Sequence, residues 1–182
     1  MKKLFILAAA ALLCMPALAD GQAAYQMYLD YFKGTNGKSQ QPEQAAIWLQ
    51  KAADLGHAEA QYDLGNNYLT GGYFNQDNSK AIYWWRKAAE SGHVKAQYNL
   101  GYCYYQNYIL EQDFEQAVYW FSKAADQGLK EAQYYLGRCY EYGLHLQQDI
   151  TQAIYWYRKA AAQGETYAQN ALKDLESTSS HK

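Results

Sequence analysis

Beyond residue 19 this chain has one proline, Pro42, two cysteines, and no apolar run long enough to cross a bilayer. Each shortage removes a class of answer. With proline confined to one place, long helices can run unbroken, because an interior proline removes a hydrogen bond and clashes with the preceding turn. Cys103 and Cys139 stand 36 residues apart. That gives them the same place in neighbouring copies of a repeat. Packed helix axes lie about 9–10 Å apart, whereas a disulfide needs Cα atoms closer than about 7 Å. Two buried thiols are expected rather than a bridge. Basic charge is also in short supply: from Asp20 onward 14 basic side chains face 18 acidic ones, a formal charge of −4. That balance suits neither nucleic acid nor anionic lipid.

Chemistry-bearing patterns are equally scarce. No G-x-S-x-G occurs, and the one S-x-x-K is Ser179 to Lys182, in a polar tail. His57 and His93 share one repeat position after a glycine, so they are expected in loops or caps. His145 falls in a loop and His181 in the tail, with no partners at metal-ligand spacing. The carboxylates are scattered. No catalytic residue, metal or cofactor is expected.

The first nineteen residues have their own logic. Met1-Lys2-Lys3 is basic, Leu4 to Met15 is apolar, and Ala17-Leu18-Ala19 is a small-residue cleavage pattern. This is the layout of a secretory signal peptide. Leu12 and Leu13 stand where a lipoprotein signal wants small residues before Cys14, which argues against lipidation. The expectation is export to a bacterial periplasm, with secretion beyond it open and no membrane insertion.

What the chain has in abundance is repetition. KAADLGHAEAQYDLG begins at Lys51, KAAESGHVKAQYNLG at Lys87, KAADQGLKEAQYYLG at Lys123, and a weaker KAAAQGETYAQNALK at Lys159, each 36 residues after the last. That period belongs to stacked helix pairs. Gly56, Gly92, Gly128 and Gly164 mark helix ends. Asp113 and Asp149, with Gln116 and Gln152 three residues on, read as capping boxes, and Asp77 holds the same place. Small residues fall in columns, such as Gly65, Gly101 and Gly137, and so do large ones, such as Leu64, Leu100, Leu136 and Leu172. A mid-helix glycine costs about 1 kcal/mol against alanine, so three in register imply a close neighbouring helix. Trp48, Trp84, Trp120 and Trp156 recur in every copy and are expected in the core.

The pattern A-x-A-Q-Y-x-L-G-x-x-Y, a loop ending in aspartate, then A-x-x-W-x-x-K-A-A-x-x-G, resembles the Sel1-like repeat, a relative of the tetratricopeptide repeat. The resemblance runs from about Gln22 to Glu176. Two departures stand out. Asn107 replaces the first loop glycine kept at Gly71 and Gly143, while Tyr73, Ile109 and His145 replace the second. The terminal copies are degenerate, with Lys173 where the glycine belongs. The resemblance implies an all-α protein: a right-handed α-solenoid of about four helix-turn-helix repeats plus a C-terminal capping helix, spanning residues 20–176. Residues 177–182 are expected as a disordered polar tail.

In proteins of this kind the first helix of each pair lines a concave groove. The resemblance therefore implies a binding face carrying Tyr62 and Asn66, then Tyr98, Tyr102 and Tyr105, then Tyr134, Arg138 and Glu141. Glu59, Leu69, Lys95, Glu131 and Tyr142 lie on the same helix faces. The three-or-four spacing keeps each set on one side of its helix. Tyr62, Tyr98 and Tyr134 fit sideways packing as well as binding. Asn66, Tyr102 and Arg138 share one position yet differ, so packing is not expected to dictate them. Tyrosine and arginine are common interface anchors, and twenty tyrosines give aromatic surface without insolubility.

The expected function is a non-catalytic interaction module, a scaffold, adaptor or regulator in the bacterial envelope. It would act as a monomer holding a protein or peptide in its groove. An alternative is a periplasmic immunity protein that neutralises a secreted effector. A third, less favoured, is a hydrolase of cell-wall or β-lactam substrates. The cysteine pairs of the relatives linked to β-lactams are absent here.

Overall fold

The computed structural model describes residues 20–179, and all regular structure in them is helical. The expected leader and residues 180–182 lie outside the described residues. Helix α1 covers 20–33. It is followed by α2 (Pro42–Asp54), α3 (Ala58–Thr70), α4 (Asn78–Glu90), α5 (Val94–Gln106), α6 (Phe114–Asp126), α7 (Lys130–Tyr142), α8 (Ile150–Ala162) and α9 (Thr166–Ser179). The last helix runs three residues into the stretch expected to be a tail.

The chain divides into two compact units, one ending at His93 and the next beginning at Val94. In the first, α3 packs on α4 and α2 on α3. In the second, α5 packs on α6 and α7 on α8, while α6–α7 and α8–α9 join the hairpins. Stacked hairpins of this kind are the α-solenoid architecture implied by the period.

Local chemistry sets the helix ends. The Asp77, Asp113 and Asp149 side chains cap α4, α6 and α8 by accepting from the backbone N–H of Lys80, Gln116 and Gln152, each at 3.0 Å. A cap of this type contributes about 1 kcal/mol. Pro42 opens α2, where its missing N–H costs nothing. His57 caps α3, its Nδ1 accepting from Ala60 N at 3.2 Å.

The glycine column closes each hairpin. A Cβ on Gly65 would lie 2.4 Å from the Trp85 ring, and one on Gly101 or Gly137 would lie 2.7 Å from the ring of Phe121 or Tyr157. The second helix of each hairpin therefore lays an aromatic ring directly on the glycine of the first. Ala81 and Ala153 are fully buried beside these contacts, and Ala45 and Ala117, at the same repeat position, are fully buried too. Trp84 and Trp120 are buried as expected, whereas Trp48 and Trp156, in the end copies, are only half-buried. There Lys51 and Lys159 place ammonium groups 4.6 and 4.7 Å from the indole centres, covering the rings with their stems. Cys103 and Cys139 are free and buried. Burial pushes their thiols up to about 11 and about 12.

A glutamine in the repeated A-x-A-Q-Y phrase links successive hairpins. Buried Gln61 donates to Ala53 O at 3.1 Å, and buried Gln133 donates to Ala125 O at 3.2 Å. Each thus gives a second donor to a carbonyl in the last turn of the preceding helix, which also accepts from the backbone N–H of Gly56 or Gly128. Gln127 and Gln163 donate in turn to the side-chain oxygens of Gln97 and Gln133 at 2.8 and 2.9 Å.

The loops carry strain where the resemblance calls for a second glycine. Ile109 and His145 sit at φ of 69° and 62°, a region that costs a non-glycine residue about 1–2 kcal/mol. His145 is exposed, so its side chain contributes little burial in return. His145→Gly is expected to stabilise the protein by about 0.5–1 kcal/mol, read as a higher urea midpoint at unchanged slope. A lower midpoint would show that the imidazole has a role in the loop.

Candidate functional site

In the first unit the expected binding residues already have partners. Tyr62 stacks on His93, with ring centres 4.5 Å apart, and His93 Nε2 lies 3.0 Å from Glu59 Oε2. Tyr25 stacks on His57 with the same spacing and angle, and His57 Nε2 meets Gln22 Oε1 at 2.9 Å. One tyrosine–histidine stack is thus built twice. Burial holds the His57 imidazole below its ordinary pKa, against the opposing pull of Glu59, which keeps it neutral as an N-cap acceptor must be. Asn66 accepts the Trp85 indole N–H at 3.0 Å.

That last bond corrects the expectation for the variable column. Asn66, Tyr102 and Arg138 each follow the glycine that lies under a ring, and the ring changes with them: Trp85, Phe121, Tyr157. Trp85 offers an N–H and meets an amide oxygen. Phe121 offers no donor, and Tyr102 turns to Tyr135 instead, edge-on at 5.6 Å. Packing therefore accounts for part of the variation.

In the second unit α5, α6 and α7 bring together an aromatic cluster. Phe121 stacks on Tyr135 at 5.2 Å and 15°, with Tyr98 and Tyr105 at 6.1 and 6.0 Å from the same phenyl ring. Tyr105 was expected on the groove surface, but it is only 9% exposed and belongs to the core. Tyr98, Tyr102 and Tyr134 are half-buried, so each keeps an accessible edge. Desolvation raises the phenols of Tyr98, Tyr105 and Tyr134 above their ordinary range, leaving them neutral donors rather than nucleophiles.

Arg138 stands where this cluster meets α9. Its guanidinium carbon lies 5.6 Å from the Tyr105 ring centre and 5.4 Å from that of Tyr142, within cation–π range. Beside it opens a pocket of about 270 Å³, lined among others by Tyr134, Arg138, Glu141, Tyr142, Tyr157 and Tyr167. Glu141 is engaged there, accepting from the Tyr157 hydroxyl. Of the expected site residues, the structure collects Tyr134, Arg138 and Glu141 in one place, leaves Tyr98 and Tyr102 nearby on α5, and withdraws Tyr105.

Some residues of this surface carried no assignment from sequence. Tyr135 is the centre of the cluster, and Tyr167 comes from the final helix. A further set, Tyr83, Tyr119 and Tyr155, is about half exposed on the second helices. Lys87, Lys123 and Lys159, one helical turn on, lie 4.9–5.3 Å from their rings. The tyrosine and lysine recur every 36 residues, which was the signal available. An i,i+4 pair of this type also helps hold the helix itself. Among the described residues there is no group of three side chains suited to holding a metal ion.

The Sel1 repeat model matches residues 21–57, 58–93, 94–129 and 130–165, which correspond to the four hairpins. A Sel1 repeat protein from Oxalobacter formigenes is 40% identical over 71% of this chain and 97% of its own, with a TM-score of 0.68. A protective antigen of uropathogenic Escherichia coli displaying an SLR fold is 34% identical over 87% of this chain, with a TM-score of 0.79. This chain spans only about a third (34%) of that antigen. Cysteine rich protein B of Helicobacter pylori shares the fold at 21% identity and a TM-score of 0.54. A search of curated proteins returned no match.

Proposed function

The chain belongs to the Sel1 repeat family, and from that premise we propose that it is an exported, non-catalytic module that holds a protein partner against the first helices of its repeats. Repeats of this family are in general protein-interaction modules, and their stacked helices supply extended surface. The leader-like residues 1–19 support export to the bacterial envelope. No helix among the described residues is long and apolar enough to cross a membrane.

One observation carries the choice of face. In the second unit Tyr98, Tyr102, Tyr134 and Arg138 lie half-buried along α5 and α7. Rigid, partly desolvated tyrosine and arginine side chains are the types that dominate binding energy when a partner excludes the remaining water. Their phenols keep the surface wettable while it waits.

The test is site-specific photo-crosslinking in the native compartment, with the reactive residue placed at Tyr102 or Tyr134 and, for comparison, at exposed Tyr119. A discrete adduct from the first two positions and none from Tyr119 is expected. Adducts from Tyr119 alone would move the binding surface to the second helices.

A further inference from the structure

Arg138 carries more information than its neighbours. It is half-buried, so its guanidinium has given up part of its hydration. Two tyrosine rings offset that loss through their faces. A guanidinium, however, has five N–H donors in a planar fork, shaped for two parallel bonds to a carboxylate. Among the described residues no carboxylate lies within ion-pair distance of it. Glu141, three residues on, is the natural candidate on the same helix face. It is turned to the Tyr157 hydroxyl instead. The fork is thus held by aromatic contacts and by the Tyr134 hydroxyl, while no ion pair takes up its charge.

The pocket beside it narrows the choice of ligand. At about 270 Å³ it is smaller than the roughly 300–1,000 Å³ typical of drug-sized sites, and it suits a single side chain better than a cofactor. Its walls also carry Glu141 and Asp174. Both oppose any anion, but a dianion such as phosphate meets about twice the repulsion of a carboxylate, which brings a single negative charge and also fits the fork. The phenols of Tyr134 and Tyr167, whose rings are 5.8 Å apart, flank the opening.

We propose that the Arg138 pocket receives the carboxylate of one acidic side chain, aspartate or glutamate, presented by the protein partner. The proposal rests on the docking face described above and adds to it the chemistry of the residue the partner must carry. It also gives the last full repeat a distinct role: at the same position, Asn66 is occupied by Trp85 and Tyr102 has no charge to offer.

The experiment uses the full chain and small probes, so it does not depend on finding the partner. The Arg138 Nε–Hε resonance is followed during titration with N-acetyl-glutamate α-amide, with N-acetyl-glutamine α-amide as the neutral control. Inorganic phosphate and N-acetylglycine report on other anions, the second as a model of a chain-terminal carboxylate. Saturable movement with a millimolar Kd is expected for the blocked glutamate alone. Arg138→Lys keeps the charge but loses the fork, and is expected to weaken that binding about tenfold. Tyr142→Ala removes an exposed ring, leaves the fold intact, and is expected to weaken binding as well.

An unmoved resonance up to about 50 mM of blocked glutamate overturns the proposal. So does equal or tighter binding of phosphate, N-acetylglycine or the glutamine control. A crosslinked adduct at Tyr102 or Tyr134 with an inert blocked glutamate would remove the acidic side chain and leave the docking face standing. Blocked-glutamate binding without an adduct at either tyrosine would do the reverse.

Discussion

Phe121→Ala is expected to lower stability by about 3–5 kcal/mol, among the largest losses available to one substitution in the second unit. The ring is fully buried. It closes on Gly101 from one side and stacks on Tyr135 at 5.2 Å on another, with Tyr98 and Tyr105 beside it. Truncation would leave a void that Gly101 cannot fill, because it has no side chain to move in. Three tyrosines would also lose their common neighbour, so Tyr98 and Tyr135 should become more mobile. Urea denaturation followed by far-ultraviolet circular dichroism measures the loss. Phe121→Leu, closer in volume, should cost well under half as much. A loss below about 1 kcal/mol for the alanine variant would show that the ring is not the keystone of the hairpin.

Gly101→Ala tests the same contact from the other side, and there the sign itself is informative. In an exposed helix the change would gain about 1 kcal/mol, since glycine is the poorer helix former. Here the new Cβ would lie 2.7 and 2.8 Å from two Phe121 ring atoms, closer than carbon atoms tolerate, and the ring has no free space to retreat into. The expected result is a net loss of about 1–3 kcal/mol. Combining Gly101→Ala with Phe121→Leu should recover part of that loss, with a coupling energy of about 0.5–3 kcal/mol. A stabilised single variant, or strictly additive losses, would mean that α5 and α6 are not in the close contact described.

Of this contact the sequence anticipated the glycine but not the ring that meets it. Three glycines 36 residues apart implied a close helix, and Asp77, Asp113 and Asp149 implied caps. These features are legible because they depend on one helix or on a repeat period. The site was less so. Tyr102 and Tyr105 are three apart and share a helix face, yet one keeps an accessible edge and the other is 9% exposed. Spacing gives the face but not which neighbour covers it, and here Phe114, Phe121 and Tyr135 cover Tyr105. Asn66 was misread for a related reason. Its partner Trp85 is nineteen residues away on the next helix, and nothing in the local pattern marks the pair. Tyr135 drew no notice because no other copy has a tyrosine in its place: Asp63 and Asn99 stand there instead.

The buried glutamines also bear on how such a chain can change in length. Gln61 and Gln133 each reach eight residues back to a carbonyl of the preceding helix, so these two joints are each written within a single 36-residue period. Duplicating or deleting one whole period leaves each glutamine facing an equivalent carbonyl. An insertion of any other length across a joint strands the buried glutamine amide, at about 1–3 kcal/mol for a group left unpaired. The joint therefore filters gene rearrangements. It lets the array grow or shrink by complete copies and selects against the rest, while positions such as 66, 102 and 138 stay free to diverge in step with the rings beside them.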